Sequence, residues 1–142
     1  MASVVVDASV LVAAVLDTGS DGDWARGVIA EKHLIAPKLA PVEAGNVLRR
    51  AEVAREVSSP EATAGYRDIV GLRIELLHFE PFAERIWELR FNLTAYDAWY
   101  VACAEALAVP LATLDVRLSQ APGPTCGFLL PDPGAASSEE PS

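Results

Sequence analysis

The chain has 142 residues, of which 51% are hydrophobic, so it can bury one sizeable core, and this excludes a disordered protein. No basic segment precedes the first apolar run, and no apolar stretch is long enough to cross a bilayer, so we expect a cytoplasmic protein without a secretion signal or a membrane partner. The 20 acidic residues outnumber the 11 basic ones, which disfavours an extended phosphate-binding surface made by this chain alone.

The first third of the chain alternates apolar runs with helical patterns. Ser3–Val6 is a β-branched run that predicts a buried strand, and a helix is expected over 8–16. Glycine and aspartate predict a turn over 19–23, which is followed by a helix over 24–31 and a short strand over 34–36.

The next segment predicts two helices in succession. The first is expected over 41–56, with an apolar stripe at helical spacing formed by Ala44, Val47, Leu48, Ala51 and Ala54. The second is expected to end near residue 72, with Ser59 as its N-cap and Pro60 in its first turn.

The second half of the chain contains three more predicted strands and two more helices. The strands are expected over 75–79, 111–113 and 127–130, and the helices over 81–91 and 94–107. Strands that alternate with helices indicate an α/β fold with a mostly parallel sheet. We expect one domain over residues 1–131 and a disordered acidic tail over 132–142, where Pro, Gly, Ser and Glu predominate.

Four carboxylates occupy positions that the predicted fold would bring together. Asp7 directly follows the first strand, and Asp115 comes just after the strand at 111–113. The carboxyl ends of parallel strands are where ligands gather in α/β sheets. Glu43 and Asp97 lie in the first turns of their helices and border the apolar faces, so both should point toward the sheet.

Grouped carboxylates imply a particular chemistry. Carboxylates that are close together and partly buried repel one another and resist ionisation, and a divalent cation relieves that cost. An all-oxygen cluster is what Mg²⁺ or Mn²⁺ prefers. A metal held in this way can activate water for the hydrolysis of a phosphodiester, so no nucleophilic side chain is needed.

Each acid also has a structural interpretation. Asp7 can cap the helix that follows it, and Thr94 with Asp97 fits a capping box. Glu43 is a first-turn acid favoured by the helix dipole, and Asp115 can begin a turn. Taken together, with two of the acids at strand ends, the positions favour the metal site.

The sequence motifs around these acids resemble those of a known family. Four motifs occur in order between Ser3 and Leu130: Val-Val-Val-Asp-Ala-Ser ending at Ser9, Ala-Pro-Lys-Leu-Ala-Pro-Val-Glu-Ala-Gly-Asn ending at Asn46, Leu-Thr-Ala-Tyr-Asp-Ala around Asp97, and Leu-Ala-Thr-Leu-Asp ending at Asp115. In this order and spacing they look like the signatures of PIN domains, and they most resemble those of VapC-type toxins.

The resemblance implies a fold, an activity and partners. It implies a three-layer α/β/α fold and a Mg²⁺- or Mn²⁺-dependent endoribonuclease, for which transfer RNA is one candidate substrate. It further implies a homodimer and inhibition by a small antitoxin encoded beside the toxin. The acidic quartet of the family falls on Asp7, Glu43, Asp97 and Asp115, and its supporting polar positions fall on Ser9, Asn46 and Thr113.

We expect Asp7 and Asp97 to bind the metal directly. Glu43 is either a third ligand or the group that deprotonates the attacking water. Asp115 would hold a second metal or a water of the first. Asn46 lies one helical turn after Glu43 and could hold a metal-bound water or the scissile phosphate, although a solvated helix residue is an equal alternative.

The remaining candidates are expected to be structural. Arg49, Arg50 and Arg55 are interpreted as a solvated helix face, and His33 and His78 as structural residues remote from the acids. Cys103 lies among small apolar residues on its helix and is expected in the core. Four aromatic residues are expected in the core or at a dimer interface: Trp24, Trp87, Trp99 and Tyr100.

Two rival enzyme-like folds lack key residues. A receiver-type signalling module needs a lysine after a late strand, but the only lysines are Lys32 and Lys38. A phosphatase of the haloacid dehalogenase type needs a second aspartate where Ser9 stands. A PIN nuclease of RNA processing outside a toxin pair, and a non-catalytic binding module with a PIN fold, both remain as alternatives.

Overall fold

Five short strands form one sheet in the computed structural model, which describes residues 1–133. They are β1 (Ser3–Val6), β2 (His33–Pro37), β3 (Ile74–Leu77), β4 (Leu111–Ala112) and β5 (Phe128–Leu129). Every pairing is parallel, and the strand order is β3-β2-β1-β4-β5. The predicted α/β fold with a mostly parallel sheet is therefore confirmed.

Helices cover both faces of this sheet. They are α1 (Ala8–Leu16), α2 (Ser20–Glu31), α3 (Ala40–Val53), α4 (Ser59–Gly71), α5 (Ala83–Glu88), α6 (Ala95–Leu107) and α7 (Val116–Gln120), and a 3₁₀ turn (Glu80–Phe82) precedes α5. Helix α1 packs against α2, α3 and α4, whereas α6 packs against α5 and against β1, β2 and β4. These contacts are those of the expected three-layer α/β/α arrangement.

The core is centred on β1 and α6. Val4, Val5 and Val6 are fully buried, because a parallel strand covered by helices on both faces has no solvated side. Helix α6 contributes small buried side chains, including Cys103, which allow the helix to approach the sheet closely. The expectation that Cys103 belongs to the core is confirmed.

The strand order reverses between β1 and β4, and this places a crevice beyond their carboxyl ends. Val6 pairs with Ala112 in register, and the backbone N–H of Asp7 donates to the Ala112 carbonyl at 3.2 Å. Asp7 and Thr113 therefore follow directly after the paired ends of β1 and β4 and lie next to each other. Ligand sites of open α/β sheets lie at such a reversal point.

Two helix starts differ from the prediction. The turn expected over 19–23 is wrong, because α2 already begins at Ser20, where Asp21 and Asp23 in the first turn stabilise the helix dipole. The N-cap of α4 is Ser58 rather than Ser59. Its hydroxyl accepts from the Glu61 N–H at 3.2 Å, and the Glu61 carboxylate accepts from the Ser58 N–H at 3.1 Å.

Several boundaries in the second half are shorter than predicted. Strand β3 ends at Leu77 rather than residue 79, because its partner β2 ends opposite it at Pro37. The helix expected over 81–91 is divided into the 3₁₀ turn and α5. The strands expected over 111–113 and 127–130 are trimmed to β4 and β5. The predicted apolar stripe of α3 ends at Ala51, because Ala54 is the exposed C-cap.

The carboxyl-terminal prediction lies almost entirely beyond these elements. Of the tail expected over 132–142, only residues 132 and 133 belong to the described part of the chain, so its disorder stays a prediction. None of the helices within residues 1–133 combines the length and apolar character that a bilayer crossing requires.

Candidate metal and active site

Asp7 is a buried carboxylate at the end of β1, with only 8% of its surface exposed. Its Oδ1 accepts from the Ser9 hydroxyl at 2.5 Å and from the Val10 N–H at 3.3 Å, and its Oδ2 accepts from the Thr113 hydroxyl. Burial raises the pKa of Asp7, although these hydrogen bonds oppose the shift. Asp7 therefore caps α1, as its structural interpretation requires, and also lies among the acids of the site.

Ser9 and Thr113 connect Asp7 to the loop after β4. The Ser9 Oγ accepts from the Leu114 N–H at 3.1 Å, and the Thr113 Oγ1 accepts from the Asp115 N–H at 3.0 Å. Thr113 is fully buried. Each hydroxyl donates to Asp7 and accepts from the loop, so the two residues fix the carboxylate relative to the segment that carries Asp115.

Glu43 is half-buried in the first turn of α3. Its Oε1 accepts from the Tyr100 hydroxyl at 2.9 Å. Burial raises the pKa of Glu43, and the negative charges of Asp97 and Asp7 raise it further, while the Tyr100 hydrogen bond opposes the shift. Glu43 is thus close enough to both aspartates for their charges to affect its ionisation.

Asp97 is half-buried in the first turn of α6. Its backbone N–H donates to the Thr94 Oγ1 at 3.2 Å, so Thr94 caps the helix as predicted. Burial raises the pKa of Asp97, and the charge of Asp115 raises it further. The Asp97 carboxylate is therefore electrostatically coupled both to Glu43 and to Asp115.

Asp115 is exposed at the start of α7. Its Oδ1 accepts from the N–H groups of Arg117 at 3.0 Å and Leu118 at 3.2 Å, so it serves as the N-cap of that helix. The carboxylate belongs to the edge of the acidic group, on the solvent side, and remains reachable by an ion or a water bound there.

The four acids form one electrostatic group without a compensating cation. The ion pairs within residues 1–133 are Arg26–Asp23, His33–Glu75, Arg85–Glu88 and Arg85–Glu105, and none includes a member of the quartet. No three acidic, histidine or cysteine side chains in the same range are arranged to share one ion as they stand. The carboxylates are held by the capping bonds of Asp7 and Asp115 and by Tyr100, so coordination requires side-chain rotation at the site.

The other predicted candidates have varied positions. Asn46 is exposed on α3, and its role stays a prediction. Arg49, Arg50 and Arg55 are exposed, as expected for a solvated face. The His33 Nε2 lies 3.0 Å from the Glu75 Oε2 and donates to it when that nitrogen carries the proton, which links β2 to β3 and fits a structural role.

Tyr100 is the site residue that the sequence interpretation missed. It was expected only in the core or at a dimer interface, and it is indeed buried, with 2% exposure, but its hydroxyl contacts Glu43. The available signal was its spacing, because Tyr100 follows Asp97 by three residues and so shares its helix face.

The remaining aromatic residues divide between the core and the surface. Trp24 and Trp99 are partly buried against the core, and Trp99 makes an edge-to-face contact with Phe79 at 5.6 Å between ring centroids. Trp87 and Phe91 are 66% and 81% exposed. The Arg90 guanidinium lies 4.3 Å from the centroid of each of these two rings.

Comparison with known proteins gives the family. Residues 4–124 match the family model of the PIN domain. Ribonuclease VapC1 of Mycobacterium tuberculosis is 41% identical over 128 residues, covering 89% of this chain and 96% of the relative. The chain is a PIN-domain protein of the VapC family. Ribonuclease VapC9 of the same species is 40% identical over 116 residues, covering 82% of this chain and 88% of the relative.

Solved structures share the fold of this VapC-family protein. The protein PAE2754 from Pyrobaculum aerophilum aligns with a TM-score of 0.68 and 25% identity, over 89% of this chain and 83% of that one. The Mycobacterium tuberculosis toxin VapC20, described as cleaving the Sarcin-Ricin loop, aligns with a TM-score of 0.64 and 17% identity, over 83% and 94%. The predicted PIN fold is thereby confirmed.

Proposed function

We propose that this VapC-family protein is a divalent-metal-dependent endoribonuclease that acts as the toxin of a type II toxin–antitoxin pair. The observation that carries the proposal is the coupling of Asp7, Glu43 and Asp97, which stand together at the sheet edge without a neutralising cation in the described chain. The names of the relatives, all VapC ribonucleases at 35–41% identity, support hydrolysis of RNA as the reaction.

The donor set fits Mg²⁺ or Mn²⁺. Every side chain of the quartet offers a carboxylate oxygen, and neither a cysteine nor a histidine hydrogen-bonds to one of them within residues 1–133. Asp7, Glu43 and Asp97 would hold the ion, with Asp115 beside it. A bound ion would supply an acidified water and a positive charge for the oxygens of the scissile phosphodiester.

The other polar residues have supporting roles in this proposal. Ser9 and Thr113 fix the Asp7 carboxylate from both sides, so that its position does not depend on the substrate. If it does not bind the ion itself, Glu43 would be the group that accepts the proton of the attacking water. Asn46, exposed one turn from Glu43, would donate to a phosphate oxygen of the RNA.

The proposed substrate is cellular RNA, with transfer RNA as one candidate, and the proposed inhibitor is a small antitoxin. A net charge of −9 means that much of the phosphate-binding charge has to come from the bound metal or from a second protein surface. A homodimer is a suitable source of that surface, and the exposed Trp87 and Phe91 are apolar area that a second copy could cover. The free cysteines are compatible with action in the cytoplasm.

Cleavage of total cellular RNA tests the activity. The purified protein should cleave RNA with Mn²⁺ or Mg²⁺ and lose that activity in EDTA, and mapping the product ends should give its cleavage sequence. The D7N variant should cleave RNA more than about 100-fold more slowly than the wild type. This loss is larger than the one caused by substituting a residue that only supports a metal ligand. D68N, at an exposed aspartate on α4, is the matched control and should retain the rate. Parental rates for a folded D7N protein would overturn the site.

A further inference from the structure

Tyr100 links the two helical layers at the acidic group. Its ring is buried on α6, a helix that packs against β1, β2 and β4, and its hydroxyl donates to Glu43 on α3 at 2.9 Å. Within residues 1–133 this is the one side-chain hydrogen bond between α3 and α6. This contact joins two residues that are 57 positions apart in sequence, and one of the two is a site acid.

The hydrogen bond from Tyr100 restrains the Glu43 side chain, which would otherwise be free to move away from the other acids. A glutamate has three side-chain torsions, and the charges of Asp7 and Asp97 repel its carboxylate. The Tyr100 hydroxyl engages Oε1, whereas Oε2 makes no hydrogen bond in the described part of the chain and is available to another group. The Tyr100 hydroxyl is a neutral donor, so it restrains the carboxylate and leaves its negative charge available to attract a cation. An arginine or lysine in the same place would neutralise that charge.

We infer that Tyr100 is a positioning residue whose hydroxyl anchors one oxygen of the Glu43 carboxylate, so that this side chain stays at the acidic group and its other oxygen is free to turn toward the divalent ion. Helix α6 then has two tasks on one face, since Asp97 supplies a carboxylate and Tyr100 orients the carboxylate contributed by α3. Outer groups that hydrogen-bond to ligands set ligand orientation in metal sites generally. The inference rests on the proposed metal-dependent function.

The Y100F variant tests the inference, because it removes one oxygen and keeps the buried ring. Calorimetric titration with Mn²⁺ in the absence of RNA should give a Kd raised on the order of 10-fold relative to the wild type. Y96F is the matched control, since Tyr96 is 57% exposed on the same helix and its hydroxyl has no hydrogen bond within residues 1–133. Its Kd should be unchanged.

A second background separates positioning from a general structural effect. In E43Q, where the carboxylate is already absent, adding Y100F should change the Kd for Mn²⁺ no further. An equal loss in both backgrounds would show that Tyr100 acts on the fold and not through Glu43. A folded Y100F protein that binds Mn²⁺ as tightly as the wild type would also overturn the inference.

A measurement on the unmodified protein covers the case in which Y100F does not fold. With tyrosine labelled at the ring carbon that bears the hydroxyl, Mg²⁺ titration should shift the Tyr100 resonance and leave that of Tyr96 in place. An unmoved Tyr100 resonance in a protein that binds Mg²⁺ would overturn the positioning role alone. Absence of Mg²⁺ and Mn²⁺ binding to the wild type would overturn the proposed function as well.

Discussion

Asp7 shows why a structural and a functional interpretation of one residue can both hold. Its carboxylate caps α1 and is held by Ser9 and Thr113, so it contributes to local structure. All of these donors are neutral, however, and burial still leaves its pKa raised. The negative charge of Asp7 is therefore solvated by hydrogen bonds but is not neutralised, and a cation would supply the missing charge.

The raised pKa of Asp7 predicts a pH-dependent stability of the metal-free protein. A carboxyl whose pKa is higher in the folded state stabilises the fold fully below its unfolded pKa, and this contribution is lost as the pH rises through the folded pKa. D7N has no such group. In EDTA, the melting temperature of D7N should therefore rise relative to that of the wild type as the pH increases from about 4 toward neutrality.

The comparison with D7N is needed because other acids act in the opposite direction. Glu61 and Glu105 have lowered pKa values, owing to their hydrogen bonds with Ser58 and with Arg85 and Thr125, so they stabilise the fold as the pH rises. D68N provides the matched control, because it also removes one carboxyl but leaves the acidic group intact. A difference in melting temperature between D7N and the wild type that does not change with pH would contradict this prediction.

For individual residues, the sequence predicted their places in the fold better than their side-chain contacts. The placement of Asp7 and Asp115 followed from strand ends, and the structure puts their strands side by side. The contact between Tyr100 and Glu43 could not be derived in the same way. Helical spacing gives the face on which Tyr100 lies, but its partner depends on the separation of two helices in different layers, which no local pattern encodes.

Among the secondary-structure elements, α4 offers a clear test of a helix start. The sequence has two adjacent serines before Pro60, and the structure assigns the cap to Ser58, with Glu61 completing the capping box. An N-cap serine with this reciprocal pair of bonds stabilises a helix through groups that would otherwise lack partners. Ser59 lies inside the helix, and its hydroxyl makes no bond within residues 1–133.

We predict that S58A lowers the free energy of unfolding by about 1 kcal/mol, as is typical for loss of an N-cap. S59A should leave it within about 0.5 kcal/mol of the wild type, because alanine is a good helix former at that position. Urea unfolding of the three proteins measures both effects. If S59A lowered the free energy of unfolding more than S58A does, Ser59 would be the N-cap, as predicted from the sequence.

Element boundaries were the less predictable part of the fold for a physical reason. Apolar pattern and turn residues identify strands and helices one at a time, whereas the ends of β3 are set by its register with β2. The start of α5 is likewise set by the 3₁₀ turn at Glu80–Phe82, which contains Pro81. Such ends depend on partners elsewhere in the chain, so local sequence defines the element but not its last residue.

For the whole molecule, the strand order determines where the site forms. The class of fold followed from alternating strands and helices, but the order β3-β2-β1-β4-β5 depends on pairings between distant segments. Any order that keeps β1 beside β4 brings Asp7 close to the Asp115 loop. Convergence of the acids was therefore predictable from strand polarity, whereas the complete topology was not.

The acidity of the whole chain is consistent with a site that requires a cation. Part of the net charge of −9 comes from the four site acids, and none of these is paired with a basic side chain within residues 1–133. Binding of a divalent ion would offset part of the negative charge of the four acids and place a positive centre at the sheet edge, where an RNA phosphate would otherwise be repelled.

The central claim is that the four acids converge on one metal site. Calorimetric titration of Mn²⁺ into the metal-free wild type, D97N and D68N tests this claim most directly. The parent and D68N should bind with equal affinity, and D97N should bind at least about 10-fold more weakly, because one carboxylate from α6 is gone while the exposed one on α4 is not involved. Equal affinity for D97N and the parent, with both proteins folded, would contradict a shared metal site formed by the four acids.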